Sequence, residues 1–216
     1  PVPGYDVQIL DGAGNELGPR EEGNIVIKLP LPPGTLASLW RNEERFVFSY
    51  MSRYPGYYET GDGGYIDEEG YVFVMGRIDD VINIAGHRLS TGAMEEIVAS
   101  HPQVAECAVI GLDDSLKGQK PLGLVVLKAG VDSDEETLRN ELIQMVRNGI
   151  GPIACYRETV IVARLPKTRS GKILRGTMRA IAGGKEYRMP STIDDPTCLE
   201  EITSALQGMG YSADQK

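Results

Sequence analysis

Apolar and polar positions alternate along Tyr5–Leu10 (YDVQIL), and apolar ones run together along GNIVIKL, with the turn-rich DGAGNELGPREEG between them, so two short strands are predicted. In GGYIDEEGYVFVMG two further runs flank Asp67 to Gly70, and Gly70 can take the positive φ that a tight hairpin turn needs. LPLPPGTLASLW is too rich in proline for a core element and reads as a surface loop. From Asp79 the pattern changes to strand and helix in alternation, which predicts a separate α+β unit. DVINIAG is a strand ending in glycine. Ser90 or Thr91 caps a helix through Ser100, with Ala93, Met94, Ile97 and Val98 on one side, and His101-Pro102 closes it. VAECAVIGL and PLGLVVLKAG read as neighbouring strands. Ser133 and Glu136 have capping-box spacing before a helix striped by Leu138, Leu142, Met145 and Val146. ETVIVARL is the last predicted strand, and KILRGTMRAIAGG the last helix, stopped by glycine. No internal repeat is present.

Composition narrows the classes. With 216 residues and 41% hydrophobic content the chain can bury one good core or two smaller ones. A formal charge of -9 argues against a general nucleic-acid or membrane-surface binder, which needs positive potential spread over a face. Cys107, Cys155 and Cys198 lie far apart without C-x-x-C spacing, so neither a disulfide framework nor a zinc site is suggested, and no metal-ligand set is assigned. No apolar run reaches the length of a membrane span, and PVPGYDVQIL lacks the order of a signal peptide. A soluble, cytoplasmic protein is expected.

Against that acidic background one segment stands apart. Between Glu158 and Glu186 no acidic residue occurs, while Arg164, Lys167, Arg169, Lys172, Arg175, Arg179 and Lys185 all do. The ordinary fate of such a run is a solvated basic face, with a nuclear-localisation signal a poorer alternative. Ser170-Gly171, however, sits immediately before Lys172 and a predicted helix start, so a flexible backbone delivers one lysine beside free N–H groups, as anion binding requires. The segment is not a Walker A loop, because Pro166 occupies the first glycine position and Ile173 follows the lysine.

Two other stretches carry similar chemistry. Thr60-Gly61-Asp62 within TGDGG reads as turn chemistry, and Gly76-Arg77-Ile78-Asp79 and Gly86-His87-Arg88 follow it. Together with PKTRSGK, these motifs resemble, in order and spacing, the C-terminal motifs of the acyl- and aryl-adenylating enzymes: acyl-CoA synthetases, luciferases and peptide-synthetase adenylation domains. The wording VMGRIDDVINIAGHRLSTGAMEEIVASHP, with STIDDP near the end, looks closest to propionyl-CoA synthetases and next to acetyl-CoA synthetases. The Ser/Thr/Gly-rich phosphate loop and adenine motif of the family's large N-terminal domain are not found, so the chain looks like a fragment. The resemblance implies an α+β fold in which residues 1–78 are the β-rich end of that large domain and residues 79–216 a small mobile lid domain.

The resemblance also implies a reaction in two halves. A short-chain carboxylate attacks ATP, whose magnesium is bound through the nucleotide, to give an acyl-adenylate, and coenzyme A then displaces AMP. Lys172 matches the catalytic lysine, whose ammonium would stabilise charge developing on the phosphoryl oxygens. Asp62 would accept hydrogen bonds from the ribose hydroxyls, with a turn cap as its alternative role. Arg77 would assist at ribose or phosphate, with a surface salt bridge to Asp79 or Asp80 as the alternative, and Asp79 matches the hinge. Gly86 would let the pantetheine arm pass against bare backbone, while Arg88 and Arg147 would meet the phosphates of coenzyme A or be ordinary surface arginines. Those arginines favour free coenzyme A over a carrier protein. Glu59 and Asn83 depart from the usual basic residue and lysine. Lys172 is further expected to be a target of acetylation and deacetylation enzymes. The readings in competition are an isolated nucleotide- or CoA-binding module without activity, a peptide-synthetase adenylation domain, and a basic-tail nucleic-acid binder.

Overall fold

A computed structural model describes residues 1–131 and 134–211. The chain divides into two compact units, Pro1–Asp79 and Asp80–Lys216.

In the first unit β1 (Val7–Leu10), β2 (Gly23–Lys28), β3 (Tyr57–Ile66) and β4 (Val72–Arg77) form an antiparallel sheet in sequence order. Leu10, Val26 and Tyr54 pack together at its centre. Helix α1 (Glu43–Tyr50) escapes the predicted pattern, because only Phe46 of its residues is buried and so no apolar stripe marks it. Its start is nevertheless legible in retrospect: Asn42 caps it by accepting from Arg45 N. TGDGG, expected as a turn, lies inside β3. Val26 pairs with Glu59 and Asn24 with Gly63, so Thr60 to Asp62 bulge from the strand opposite Ile25. The glycines there serve a bulge, not a chain reversal.

The second unit is built on β7 (Val104–Asp114) and β8 (Gly118–Leu127), paired antiparallel along their whole length. The other edge of β8 takes β5 (Val81–Ile84) at Gly118 and the short parallel β9 (Thr159–Ile161) at Gly123 to Val125. Strand β6 (His87–Ser90), absent from the sequence reading, pairs with β5. Period-2 burial divides the core into two layers. Ala108, Ile110 and Leu112 face the cluster that includes α4 (Arg175–Ala182) and α5 (Cys198–Gly208). Val109 and Val125 face α2 (Thr91–Ala99) and α3 (Glu135–Gly149) on the opposite side. Helices therefore cover both faces of one mixed sheet.

Several local expectations need correction. Ser90 does cap α2, but Ala93 is exposed, and the buried residues are Thr91, Met94 and Val98. The cap of α3 is Asp134, which accepts from Thr137 N, and Ser133 lies outside the described residues. Helix α4 starts at Arg175, three residues after Lys172, and is not the last helix. Helix α5, which begins beyond Pro196, buries Cys198, Leu199, Ile202 and Leu206. No helix among the described residues is long and apolar enough to cross a membrane.

Candidate functional site

In the first unit the bulge in β3 places Asp62 opposite Arg77 at the end of β4. Their side chains meet at 3.6 Å, and both are partly exposed. Arg77 Nη1 also donates to Thr60 O at 3.2 Å, while Thr60 Oγ1 donates to Ile25 O and accepts from Asp62 N. Gly61 makes this possible. Its φ is +78°, and a Cβ there would lie 2.6 Å from the Arg77 guanidinium. Beside it opens a cleft of about 530 Å³ lined by residues that include Tyr50, Arg53, Tyr58, Glu59 and Arg77. Tyr50 and Tyr58 stack at 5.3 Å, and burial pushes the Tyr58 hydroxyl above its ordinary pKa. The sequence reading missed these two tyrosines, because Tyr50 ends the unrecognised helix.

Lys172 lies on a tight reverse turn. Lys167 and Ile173 form an antiparallel bridge, Thr168 N donates to Lys172 O, and Gly171 N to Thr168 O. The N–H of Lys172 is not free for an anion, as the sequence had suggested, but donates to Thr168 Oγ1 at 3.0 Å. What the turn presents is the exposed side chain. Four of the seven cations in the acid-free segment are answered by carboxylates in space. Arg164 pairs with Asp195 and Glu201, Lys167 with Glu106, Arg175 with Glu95 and Lys185 with Asp113. Lys172 is in no ion pair among the described residues.

Gly86 occupies the two-residue turn between β5 and β6. Ala85 and Gly86 have φ of +50° and +87°, the conformation that matches strand twist in a two-residue hairpin. A Cβ on Gly86 would meet nothing within 4 Å, so the position opens to solvent. Arg88 is exposed two residues on, in β6. Ala85 N donates to Lys117 O at the β7–β8 turn, and Lys117 Nζ donates to Cys155 Sγ at 3.2 Å. Cys155 and Arg147, the latter in the last turn of α3, line one cavity of about 230 Å³ with Arg157. The fold thus brings Gly86, Arg88 and Arg147 to one end of the β7–β8 ribbon. Lys117, a further cation there, was not singled out from sequence, since DDSLKGQK reads only as a turn.

The Lys172 turn is anchored at the other end. Lys167 Nζ contacts Glu106 Oε1 at 2.6 Å, near the start of β7, whereas the Lys117 turn follows Asp114 at its end. Eight residues of strand separate Glu106 from Asp114, about 26 Å at roughly 3.3 Å per residue. Asp79 ends the first unit in a 3₁₀ turn, Ile78–Asp80. No cluster of metal-ligating side chains occurs among the described residues.

Residues 93–172 match the AMP-binding enzyme C-terminal domain family. The chain is 60% identical over 206 residues to an uncharacterised protein of Pseudomonas aeruginosa, covering 95% of this chain and 33% of that one. It is 53% identical, over 95% of its length and 30% of the relative's, to mouse acyl-CoA synthetase short-chain family member 3, mitochondrial. Among solved structures, acetoacetyl-CoA synthetase from Streptomyces lividans superimposes with a TM-score of 0.78 at 24% identity, over 95% of this chain and 31% of that one, which speaks for the fold alone. The chain therefore contains the C-terminal domain of the AMP-binding enzymes. Its homologues are short-chain acyl-CoA synthetases, and it spans about a third of the length of the curated relatives it matches.

Proposed function

We propose that this chain is the C-terminal part of an AMP-forming ligase that joins a short-chain carboxylate, propionate or acetate, to coenzyme A through an acyl-adenylate. The observation that carries the reading is Lys172: exposed, in no ion pair among the described residues, and held on a hydrogen-bonded turn while Arg164, Lys167 and Arg175 around it are paired. An ammonium so presented is free to meet an anionic nucleotide. In the first half-reaction it stabilises charge on the α-phosphate as the carboxylate attacks and pyrophosphate leaves. Asp62 accepts from the ribose hydroxyls, and Arg77, which already shares Asp62 and the Thr60 carbonyl, steers ribose or phosphate. Magnesium enters with ATP, held by its phosphates.

In the second half-reaction the thiol of coenzyme A attacks the acyl carbon and AMP leaves. Gly86 offers bare backbone to the pantetheine arm, and Arg88 and Arg147 meet the coenzyme A phosphates. The Lys172 turn and the Gly86 turn stand at opposite ends of a ribbon about 26 Å long. Rigid within its unit, this pair cannot serve one reacting centre at once. A rotation of residues 79–216 about Asp79 relative to residues 1–78 presents them in succession. The exposure of Lys172 also suits it to reversible acetylation, which would remove the charge and stop the first half alone.

The test is Lys172→Ala in the full-length protein. Pyrophosphate release with ATP, magnesium and either carboxylate should fall about a hundred- to thousandfold. Conversion of preformed acyl-adenylate to acyl-CoA should persist. Equal loss in both halves would make Lys172 structural. The 216-residue chain alone is expected to release no pyrophosphate.

A further inference from the structure

The Lys172 turn is one edge of a small three-segment ribbon, and its other neighbour comes from beyond the matched family domain. Thr168 bridges to Ile193 antiparallel, Arg169 N donates to Thr192 O at 3.0 Å, and Asp194 N donates to Lys167 O at 2.9 Å. Residues 167 and 168 are therefore held on both sides, by Ile173 and by Ile193. Ile193 is 7% exposed and belongs to the cluster that contains Leu165, with Ile173 packed against it. Just past it, Asp195 and Glu201 take Arg164, at 2.5 Å and 2.7 Å, and Thr197 Oγ1 accepts a third bond from the same guanidinium. Arg164 and Lys167 flank the short stretch leading into the turn, so the segment from Thr192 to Glu201 is fixed to the base of the very loop that carries the lysine. The matched family domain ends at residue 172.

We infer that Thr192–Glu201 is a positioning element for Lys172, with Ile193 and Arg164 as its positioning residues. The inference rests on the catalytic reading of Lys172. An exposed lysine on an unbraced turn samples many directions, and aligning it on the nucleotide costs conformational freedom at each turnover. Two extra main-chain bonds and one buried side chain remove that cost beforehand. The cations around it gain a second meaning: Arg164 and Lys167 pin the loop from outside instead of contacting substrate.

Two variants separate bracing from folding. Ile193→Ala removes the buried side chain, with Ile193→Val as its conservative rescue. Arg164→Met removes the ionic clamp but keeps the aliphatic stem, with Lys185→Met, at a surface ion pair elsewhere in the unit, as control. In this chain, amide hydrogen exchange at Thr168 and Lys172 should quicken at least tenfold in Ile193→Ala and Arg164→Met and stay unchanged in Ile193→Val and Lys185→Met. In the full-length protein the same two variants should slow adenylate formation at saturating ATP about tenfold, leaving the thioester half-reaction from preformed adenylate within twofold of wild type. Unchanged exchange overturns the bracing, and an equal fall of both half-reactions overturns the positioning role. Faster exchange together with a wild-type protein unable to form any short-chain acyl-adenylate would leave the bracing standing and sink the catalytic reading instead.

Discussion

Removing Glu95 should loosen the second unit and shift the chemistry of a neighbouring thiol in a predictable direction. Glu95, in α2, is only 15% exposed at its side chain. Its Oε1 accepts from Val109 N at 2.8 Å and from Arg175 Nε at 3.0 Å, and its Oε2 from Arg175 Nη2 at 2.7 Å. Glu95→Ala leaves the amide of the buried Val109 without that acceptor, a cost of about 1–3 kcal/mol. Arg175, a quarter exposed, can be rehydrated, so its lost pair adds only about 1 kcal/mol. A total near 3 kcal/mol should lower the melting temperature of a unit this size by about 10 °C. Arg175→Met should cost less, since Glu95 keeps Val109, and the double variant should cost less than the sum because the two share one interaction. The second readout is Cys107, whose pKa is pushed up to about 11, first by burial and then by Glu95, with Arg175 opposing. Removing the carboxylate should lower that pKa and speed alkylation at about pH 9, whereas removing the arginine should slow it. Calorimetry and iodoacetamide labelling followed by mass spectrometry measure both. If the two variants move Cys107 reactivity the same way, the electrostatic account of this clamp is wrong.

Five further outcomes are expected. Tyr156→Phe removes the buried hydroxyl that shares a 2.8 Å hydrogen bond with Thr159 Oγ1 and should destabilise by about 1–2 kcal/mol in a urea melt with unchanged slope. Gly123→Ala puts a Cβ 1.9 Å from the Tyr156 hydroxyl oxygen and should cost more, about 3 kcal/mol, of which Tyr156→Phe restores a part in the double variant. The Asp195 carboxyl is held down to about 2, first by the Thr197 hydroxyl and then by the Thr197 amide and Arg164. Its folded pKa is thus below its unfolded one, so its stabilisation is full above the ordinary carboxylate range and is lost as pH falls toward 2. The stability difference between wild type and Asp195→Asn should therefore be full near neutral pH and shrink as pH falls from about 4 to about 2, and a difference that grows on acidification would contradict this. In the full-length protein, Arg88→Ala or Arg147→Ala should raise KM for coenzyme A and erase most of its advantage over dephospho-coenzyme A, and an unchanged advantage removes that residue from the site. Asp79→Pro, which fixes φ near -65°, should suppress one half-reaction far more than the other, and equal suppression would refute rotation about this residue.

How much of this was legible in the sequence depends on whether the cause is local. The β7–β8 pair was, because apolar runs with β-branched residues at Val104, Val109 and Val125 announce a doubly covered strand whatever surrounds it. So was the hairpin at Gly70, and so was the Ser90 cap. Strand β6 was not, since His87-Arg88-Leu89-Ser90 carries no pattern and pairs only because Ala85-Gly86 reverses the chain onto Asn83. Helix α1 was missed because so little of it is buried. TGDGG failed differently: glycines that signal a turn by composition serve a bulge when a second strand, here β2, supplies the partners. The charge reading failed for the same reason of distance. Seven cations without an acid among them describe a basic face only if the chain around them stays unfolded. Once folded, Glu106 from β7, Glu95 from α2, Asp113 and the Asp195–Glu201 segment arrive from as many as 80 residues away and answer four of them. Sequence position named Lys172 as the residue to watch, and the fold adds a contrast: Arg164, Lys167 and Arg175 meet carboxylates from distant segments, whereas the exposed ammonium of Lys172 is in no ion pair among the described residues.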